Sequence, residues 1–142
     1  MTRQDVEAVF AHRQYALARR DAVALASLFS EDGVLESPTA GGTVYGRRAI
    51  EDVYRAWFTA FPDVAFAADE PLLIDGDRVA QRLMTTGTDT GGFMGLPPTG
   101  KAFRVPLVIL CTLAGNQIVH ERRIYDFTGM LIQIGVLKAR PV

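Results

Sequence analysis

The sequence is poor in the residues from which several classes of functional site are built. Cys111 is its only cysteine, so the chain cannot form an internal disulfide, and no Cys/His cluster has the spacing of a zinc site. Lysine and arginine number 15 against 16 aspartate and glutamate residues, and no basic run resembles a phosphate-binding stripe. These deficits argue against a structural zinc site and against nucleic acid as a partner.

Long hydrophobic runs are also missing. No apolar run approaches the roughly 18 residues that a membrane-spanning helix needs, so we expect no membrane partner. The first residues are polar and lack the apolar stretch of a signal peptide, which predicts a cytoplasmic location. With 142 residues, 49% of them hydrophobic, the chain is predicted to form a single domain over residues 1–142.

Three helices are predicted in the N-terminal half. Residues 3–19 and 47–60 repeat apolar side chains at helical spacing. Asp21 is placed to cap a second helix, which we expect to end within residues 30–33.

The remainder alternates strands with turns that contain glycine. Turns are expected at residues 75–77 and 114–116. Helices followed by strands indicate an α+β domain, with the three helices packed on a strongly curved, mostly antiparallel sheet that encloses a pocket. The strand candidates are residues 34–37, 64–68, 72–74, 79–88, 103–113 and 118–127.

A loop rich in glycine and proline covers residues 92–101. Pro97, Pro98 and the neighbouring glycines exclude a helix or a central strand there. The loop contains no phosphate-binding glycine motif. We expect it to cover the open end of the sheet or to contact a second subunit.

Segments spread over nearly the whole chain share a pattern with a known family: residues 28–32, 61–63, 92–101 and 118–126, with Gly46, Gly87, Gly129 and Gln133. They resemble the SnoaL-like polyketide cyclase family of the nuclear-transport-factor-2-like superfamily. The resemblance implies a cone-shaped, cystatin-like fold, a homodimer, and acid/base chemistry on a small hydrophobic carbonyl compound without a metal or cofactor. In the family this chemistry is an intramolecular aldol reaction.

By its position in this resemblance, Asp126 is the predicted general acid/base. Strand alternation places Ile118, His120, Arg122 and Asp126 on one face unless a bulge shifts it. We predict that His120 or Arg122 binds the substrate and polarises its developing oxyanion. The alternative is that Asp126 caps the tail or pairs with Arg122 or Arg123.

Three positions depart from the family pattern. Asp89 stands where relatives commonly carry His, His120 where they often carry Glu, and Arg122 where they carry Trp. An arginine in place of an aromatic residue makes a pocket more polar if that residue faces it. We therefore predict a pocket more polar than that of a polyketide cyclase.

Tyr15, Trp57 and Phe93 are further candidates for substrate binding. Tyr15 and Trp57 also have a simpler interpretation as core residues. Cys111 lies in an apolar run and is interpreted as a small buried hydrophobic residue. The apolar tail, residues 129–137, requires burial, and packing between subunits is one place for it.

Other functions of the same fold remain open at this stage. The ketosteroid isomerase mechanism lacks its base, because Ser37 occupies the position of the acid before Pro38. An epoxide hydrolase of the limonene type needs two carboxylates bridged by arginine, and only Arg122 and Asp126 offer two of these parts. A small-ligand-binding domain without chemistry needs no further residues.

Overall fold

The elements follow one another as two helices, two strands, a helix, five strands and a last helix. The structure is a computed structural model and describes residues 1–39 and 42–139. Within these residues, no helix is long and apolar enough to cross a membrane. The bounds are α1 (Arg3–Ala18), α2 (Ala22–Ser27), β1 (Phe29–Ser37), β2 (Gly42–Tyr45), α3 (Arg47–Ala60), β3 (Ala65–Ala68), β4 (Leu73–Asp75), β5 (Arg78–Thr88), β6 (Ala102–Ala114), β7 (Gln117–Tyr125) and α4 (Phe127–Gln133).

The strands form one curved sheet in the order β2-β1-β7-β6-β5-β3, with β4 also paired to β5. All pairs are antiparallel except β1 with β7, which run parallel. The predicted α+β class and the cone-shaped fold are confirmed. The sheet is mostly antiparallel because strands that follow one another in the chain pair directly: β4 with β5, β5 with β6 across residues 89–101, and β6 with β7 across a short turn.

The helices bury their apolar sides against the concave face of the sheet. A capping box formed by Thr2 and Asp5 begins α1, and the Asp21 side chain caps α2 as predicted. The main core joins side chains of α1, α2 and α3 to the sheet. Its largest fully buried members are Leu17, Leu25, Phe29, Leu35, Ile50, Leu83, Ile109 and Ile118.

A second, aromatic core fills the end of the domain beside the loop at residues 92–101. The Asp89 carboxylate is fully buried and accepts hydrogen bonds from Gly92 N at 3.1 Å and from Thr99 N and Oγ1 at 3.2 and 3.1 Å. These bonds fold the loop back so that Phe93 packs on Phe61. Asp89 therefore organises the loop from within.

Three segments differ from the sequence prediction, the first being the short strand β2, which was not predicted. The second helix ends at Ser27, and residues 30–33 belong to β1, as the irregular stretch between its pairs Phe29–Ile118 and Val34–His120 with β7. The tail forms the unpredicted helix α4. Met130 and Leu131 of this helix, and Ile134 after it, are buried in the aromatic core of the same chain. Ile132 and Leu137 of the tail remain exposed.

Candidate functional site

An interior cavity lies between α1, α3 and the concave face of the sheet. Its volume is about 20 Å³, room for roughly one water molecule. A wider surface depression of about 580 Å³ beside β4 lies outside the core. The cavity is lined by Arg13, Leu17, Tyr54, Trp57, Phe66, Thr85, Val105, Leu107, Arg123 and Tyr125.

Most of the cavity wall is apolar, and Trp57 is its largest flat surface. The Trp57 ring is 8% exposed and meets Tyr125 edge-on at 6.1 Å between ring centroids. Phe93 packs behind Trp57, at 5.5 Å between centroids, and does not line the cavity. Of the predicted substrate-binding residues, Trp57 thus lies in the wall and Phe93 supports it.

One end of the cavity carries a buried ionic cluster centred on Glu121, which is fully buried. Glu121 Oε1 accepts from Arg13 NH2 at 3.1 Å, and Oε2 accepts from Arg123 Nε at 2.8 Å. The Tyr54 hydroxyl lies 3.3 Å from both carboxylate oxygens. The Arg123 guanidinium also stacks over the Tyr54 ring at 4.5 Å.

Burial and pairing act in opposite directions on these groups. Burial alone would raise the pKa of the Glu121 carboxyl, but Arg13 and Arg123 more than offset it and lower that pKa. Burial alone would lower the pKa of Arg13. Its neighbours Tyr54 and Glu121 outweigh this effect and raise the pKa. Burial raises the pKa of the Tyr54 phenol, so Tyr54 stays neutral. The cluster therefore holds two cations and one anion.

A bulge in β7 decides which side chains reach this cavity. Leu113 pairs with Ile118 whereas Thr112 pairs with His120, so Val119 is an extra residue in the ladder. The alternation shifts there: Ile118 points inward, and after the bulge Glu121, Arg123 and Tyr125 do. The expectation that His120 and Arg122 share the inward face with Ile118 is wrong for this reason.

His120 and Arg122 lie on the outer face of the sheet, where both contact Glu36 of β1. Glu36 Oε2 lies 2.5 Å from His120 Nε2 and 3.0 Å from Arg122 Nε. Both contacts lower the pKa of the Glu36 carboxyl, and the hydrogen bond with His120 has the larger effect. The three side chains form a surface cluster of polar and charged groups that does not reach the cavity.

Asp126 follows β7 and is exposed to solvent at the start of α4. Its Oδ1 accepts a hydrogen bond from Gly129 N at 2.8 Å, so it is the N-cap of that helix. Asp126 does not line the cavity. The expected inward orientation is therefore wrong, while the alternative that Asp126 caps the tail describes its contact. Its catalytic role stays a prediction.

Removing this cap is expected to destabilise the tail helix. Asp126→Ala should lower the free energy of unfolding by about 1 kcal/mol, since the Gly129 amide loses its acceptor. Asp126→Asn retains an acceptor oxygen and should stay close to the wild-type value. Urea denaturation of both variants measures the difference. Equal stability of the alanine variant and the wild type would contradict the capping role, whereas loss of turnover in a stable Asp126→Asn protein would support catalysis.

Tyr15 lies on the solvent-facing side of α1 with its side chain 63% exposed. Its hydroxyl accepts a hydrogen bond from Arg19 NH1 at 2.8 Å. The expectation that Tyr15 faces the pocket is wrong, because the inward side of α1 carries Arg13 and Leu17 instead. Cys111 is buried as expected, and burial raises the pKa of its thiol.

Arg13, Glu121 and Arg123 were not predicted as site residues. Arg13 nevertheless stands within the apolar helical repeat of α1, between Phe10 and Leu17. A charged residue in a core-facing stripe is rarely buried unless it is paired, and that is the signal that points to it. Within residues 1–39 and 42–139, no group of three His, Cys, Asp or Glu side chains is arranged to hold a metal ion.

The sequence matches the family of SnoaL-like polyketide cyclases over residues 8–134. Three solved structures are similar. IdmH from Streptomyces antibioticus, a candidate polyketide cyclase, is 28% identical to this chain, with a TM-score of 0.76. The match covers 91% of this chain and 97% of the IdmH chain. A candidate SnoaL-like polyketide cyclase from a Jannaschia species is 25% identical with a TM-score of 0.77, covering 97% and 94%.

AclR from Streptomyces galilaeus, a candidate hydroxylase, shares the fold at 24% identity and a TM-score of 0.83, covering 99% of this chain and 87% of its own. The chain has no match among curated proteins. A match over residues 8–134 spans nearly the whole length of the sequence and includes the strands and helices that build the cavity. The chain belongs to the SnoaL-like polyketide cyclase family.

Proposed function

We propose that the protein binds a small, mostly apolar carbonyl compound in the interior cavity and polarises its oxygen through Arg13 and Arg123. The observation that carries the proposal is the pairing of an apolar wall with two guanidinium groups at one end of the same cavity. N–H groups fixed in a water-poor site stabilise the oxyanion that forms when a proton leaves the carbon next to a carbonyl. Family membership supports this assignment.

The reaction that such a site would serve is enolisation, leading to aldol cyclisation or isomerisation without a cofactor. Arg13 and Arg123 would hold the enolate oxygen, and a base would remove the proton from carbon. The base predicted from the sequence is Asp126, whose exposed position is outside the cavity. Its role in the reaction remains part of the proposal, to be measured by turnover of the Asp126→Asn variant.

A second candidate function is ligand binding without chemistry. It is favoured by the cavity lining, in which the described residues include neither a carboxylate nor a histidine. Glu121 itself is occupied by Arg13, Arg123 and Tyr54, and its lowered pKa makes it a weak base. The same composition gives no support to epoxide hydrolysis, which requires two carboxylates around one water.

Ligand entry into the cavity is measurable through Trp57, the only tryptophan in the sequence. Its indole N–H gives a single cross-peak in a ¹⁵N–¹H correlation spectrum. We expect acetophenone, a small flat ketone, to shift this peak saturably. A ligand of this size requires the wall side chains to move, and the half-buried Phe66 and Tyr125 have the most freedom to do so.

A cavity-filling variant provides the control for this titration. Leu107 lines the cavity, so Leu107→Phe should weaken acetophenone binding by about tenfold or more, since the larger ring takes up the space. Leu96→Phe makes the same chemical change at a position that is 44% exposed and should bind as the wild type does. Binding that is equal in both variants would place the ligand elsewhere.

We also propose that the protein is a homodimer through the outer face of its sheet. Pro106, Val108 and Ile124 lie side by side on β6 and β7 on that face, and Ile124 is 51% exposed. An exposed apolar strip on a sheet is a common subunit contact. Analytical ultracentrifugation at micromolar concentration measures the mass in solution. A mass equal to that of a single chain would contradict the proposal.

A further inference from the structure

Several buried polar atoms without a hydrogen-bond partner belong to side chains that line the interior cavity. Arg13 Nε and NH1, Thr85 Oγ1 and Arg123 NH2 are buried and make no hydrogen bond within the described residues. Their side chains are at least nine-tenths buried, and all three line the cavity. Three other side chains with unpartnered atoms, Gln14, Ser30 and Gln81, do not line it.

These atoms are mainly donors. Nε and the two NH groups carry N–H bonds that only an acceptor satisfies, and the Thr85 hydroxyl can donate as well. Native proteins leave few buried donors unpaired, and each such group calls for an explanation such as a bound molecule. The cavity wall therefore offers unsatisfied donors to a bound group that accepts hydrogen bonds.

The charge of the cluster points to an anion rather than a neutral acceptor. Glu121 is the carboxylate that both guanidiniums contact, at 3.1 Å from Arg13 and 2.8 Å from Arg123. Among the described residues neither arginine pairs with another acid. One positive charge is thus left without a partner in the core, where an unpaired charge is unfavourable.

We propose that the cavity takes an organic carboxylate, with the ligand carboxylate held by Arg13, Arg123 and Thr85 and its flat apolar body against Trp57 and Leu107. The inference rests on the proposed function, whose cavity it shares, and it narrows the ligand class from carbonyl compounds to organic acids. Guanidinium groups bind carboxylates through paired N–H···O contacts, which a ketone or an amide oxygen reproduces only in part.

Three probes of similar size separate charge from shape. Benzoate, benzamide and acetophenone are titrated against the wild-type protein while the Trp57 indole cross-peak is followed. We expect benzoate to bind at least about tenfold more tightly than benzamide at pH 7, because hydrogen bonds between charged groups are stronger than neutral ones. Acetophenone should bind no more tightly than benzamide.

Thr85→Val tests the contact in a variant that is expected to fold. Valine has a similar shape, and the hydroxyl it removes has no partner in the protein, so stability should be equal or higher. Benzoate affinity should fall by about fivefold, as expected for the loss of one hydrogen bond to a charged group. The matched control is Thr86→Val on the same strand, which points to the outer face and should leave benzoate binding unchanged.

The outcomes distinguish this inference from the proposed function. Equal binding of all three probes, or a benzoate affinity that Thr85→Val leaves unchanged, overturns the anion site while the carbonyl-binding function stands. Failure of all three probes to shift the Trp57 peak overturns both, and would mean that the unpaired donors contact only an internal water molecule. The inference is supported if the wild-type protein prefers benzoate, and if Thr85→Val weakens benzoate binding whereas Thr86→Val does not.

Discussion

Replacing Glu121 with alanine is expected to lower the free energy of unfolding by about 3–5 kcal/mol. The carboxylate is fully buried and accepts hydrogen bonds from Arg13, Arg123 and Tyr54. Without it, two guanidinium groups remain in the core with no counter-charge, and they repel each other. Urea denaturation followed by circular dichroism measures the change.

Glu36 provides the matched control for this substitution. Its carboxylate also contacts two basic side chains, His120 and Arg122, but on the exposed outer face of the sheet. Ion pairs in contact with water contribute little, so Glu36→Ala should change stability far less than Glu121→Ala. Similar losses in the two variants would contradict the view that burial makes Glu121 important.

The second large effect is expected at Gly91, which precedes the loop at residues 92–101. A Cβ atom at this position would lie 1.8 Å from the Thr59 carbonyl oxygen and 3.1 Å from the Ala60 Cα atom. Both belong to the backbone of α3, and the Gly91 amide also donates to the Ala60 carbonyl at 3.0 Å. Gly91→Ala should therefore destabilise the protein by about 3 kcal/mol, because the loop and helix must separate.

Gly95→Ala in the same loop separates this close contact from ordinary backbone strain. Gly95 has a φ of +74°, and no atom lies within 4 Å of the position that an alanine Cβ would take. Only the cost of the left-handed conformation therefore applies, about 1–2 kcal/mol. Thermal unfolding of the two variants gives the comparison. A loss at Gly91 no larger than that at Gly95 would show that the loop moves away from α3 easily.

Local signals were sufficient for most elements of the fold. Helix α3 was predicted over residues 47–60 and covers Arg47–Ala60, since Gly46 and Pro62 flank a clear apolar repeat. The start of β1 was missed because the polar residues 30–33 have the composition of a turn. They lie within β1 because the flanking Phe29 and Val34 pair with β7 far along the chain, which no local pattern reports.

The candidate site was predicted less well than the fold. Trp57 was expected in the pocket and lies in its wall, because it belongs to the regular apolar side of a helix. His120 and Arg122 were assigned to the wrong face, since alternation was counted from Ile118 through a bulge. That the pocket is more polar than that of a polyketide cyclase stays a prediction. The charged residues in the cavity wall, Arg13 and Arg123, are not the ones on which it was based.

The sequence by itself determined the family, through segments that resemble it over most of the chain. It also determined the α+β class and the order of most helices and strands, because apolar periodicity and turn residues act over short distances. The tertiary structure alone decided which face of β7 points inward. That choice depends on the extra residue Val119 in the ladder between β6 and β7. It also depends on Arg13 meeting Glu121 from a helix 108 residues away, where each charge is tolerated in the core only because the other is present.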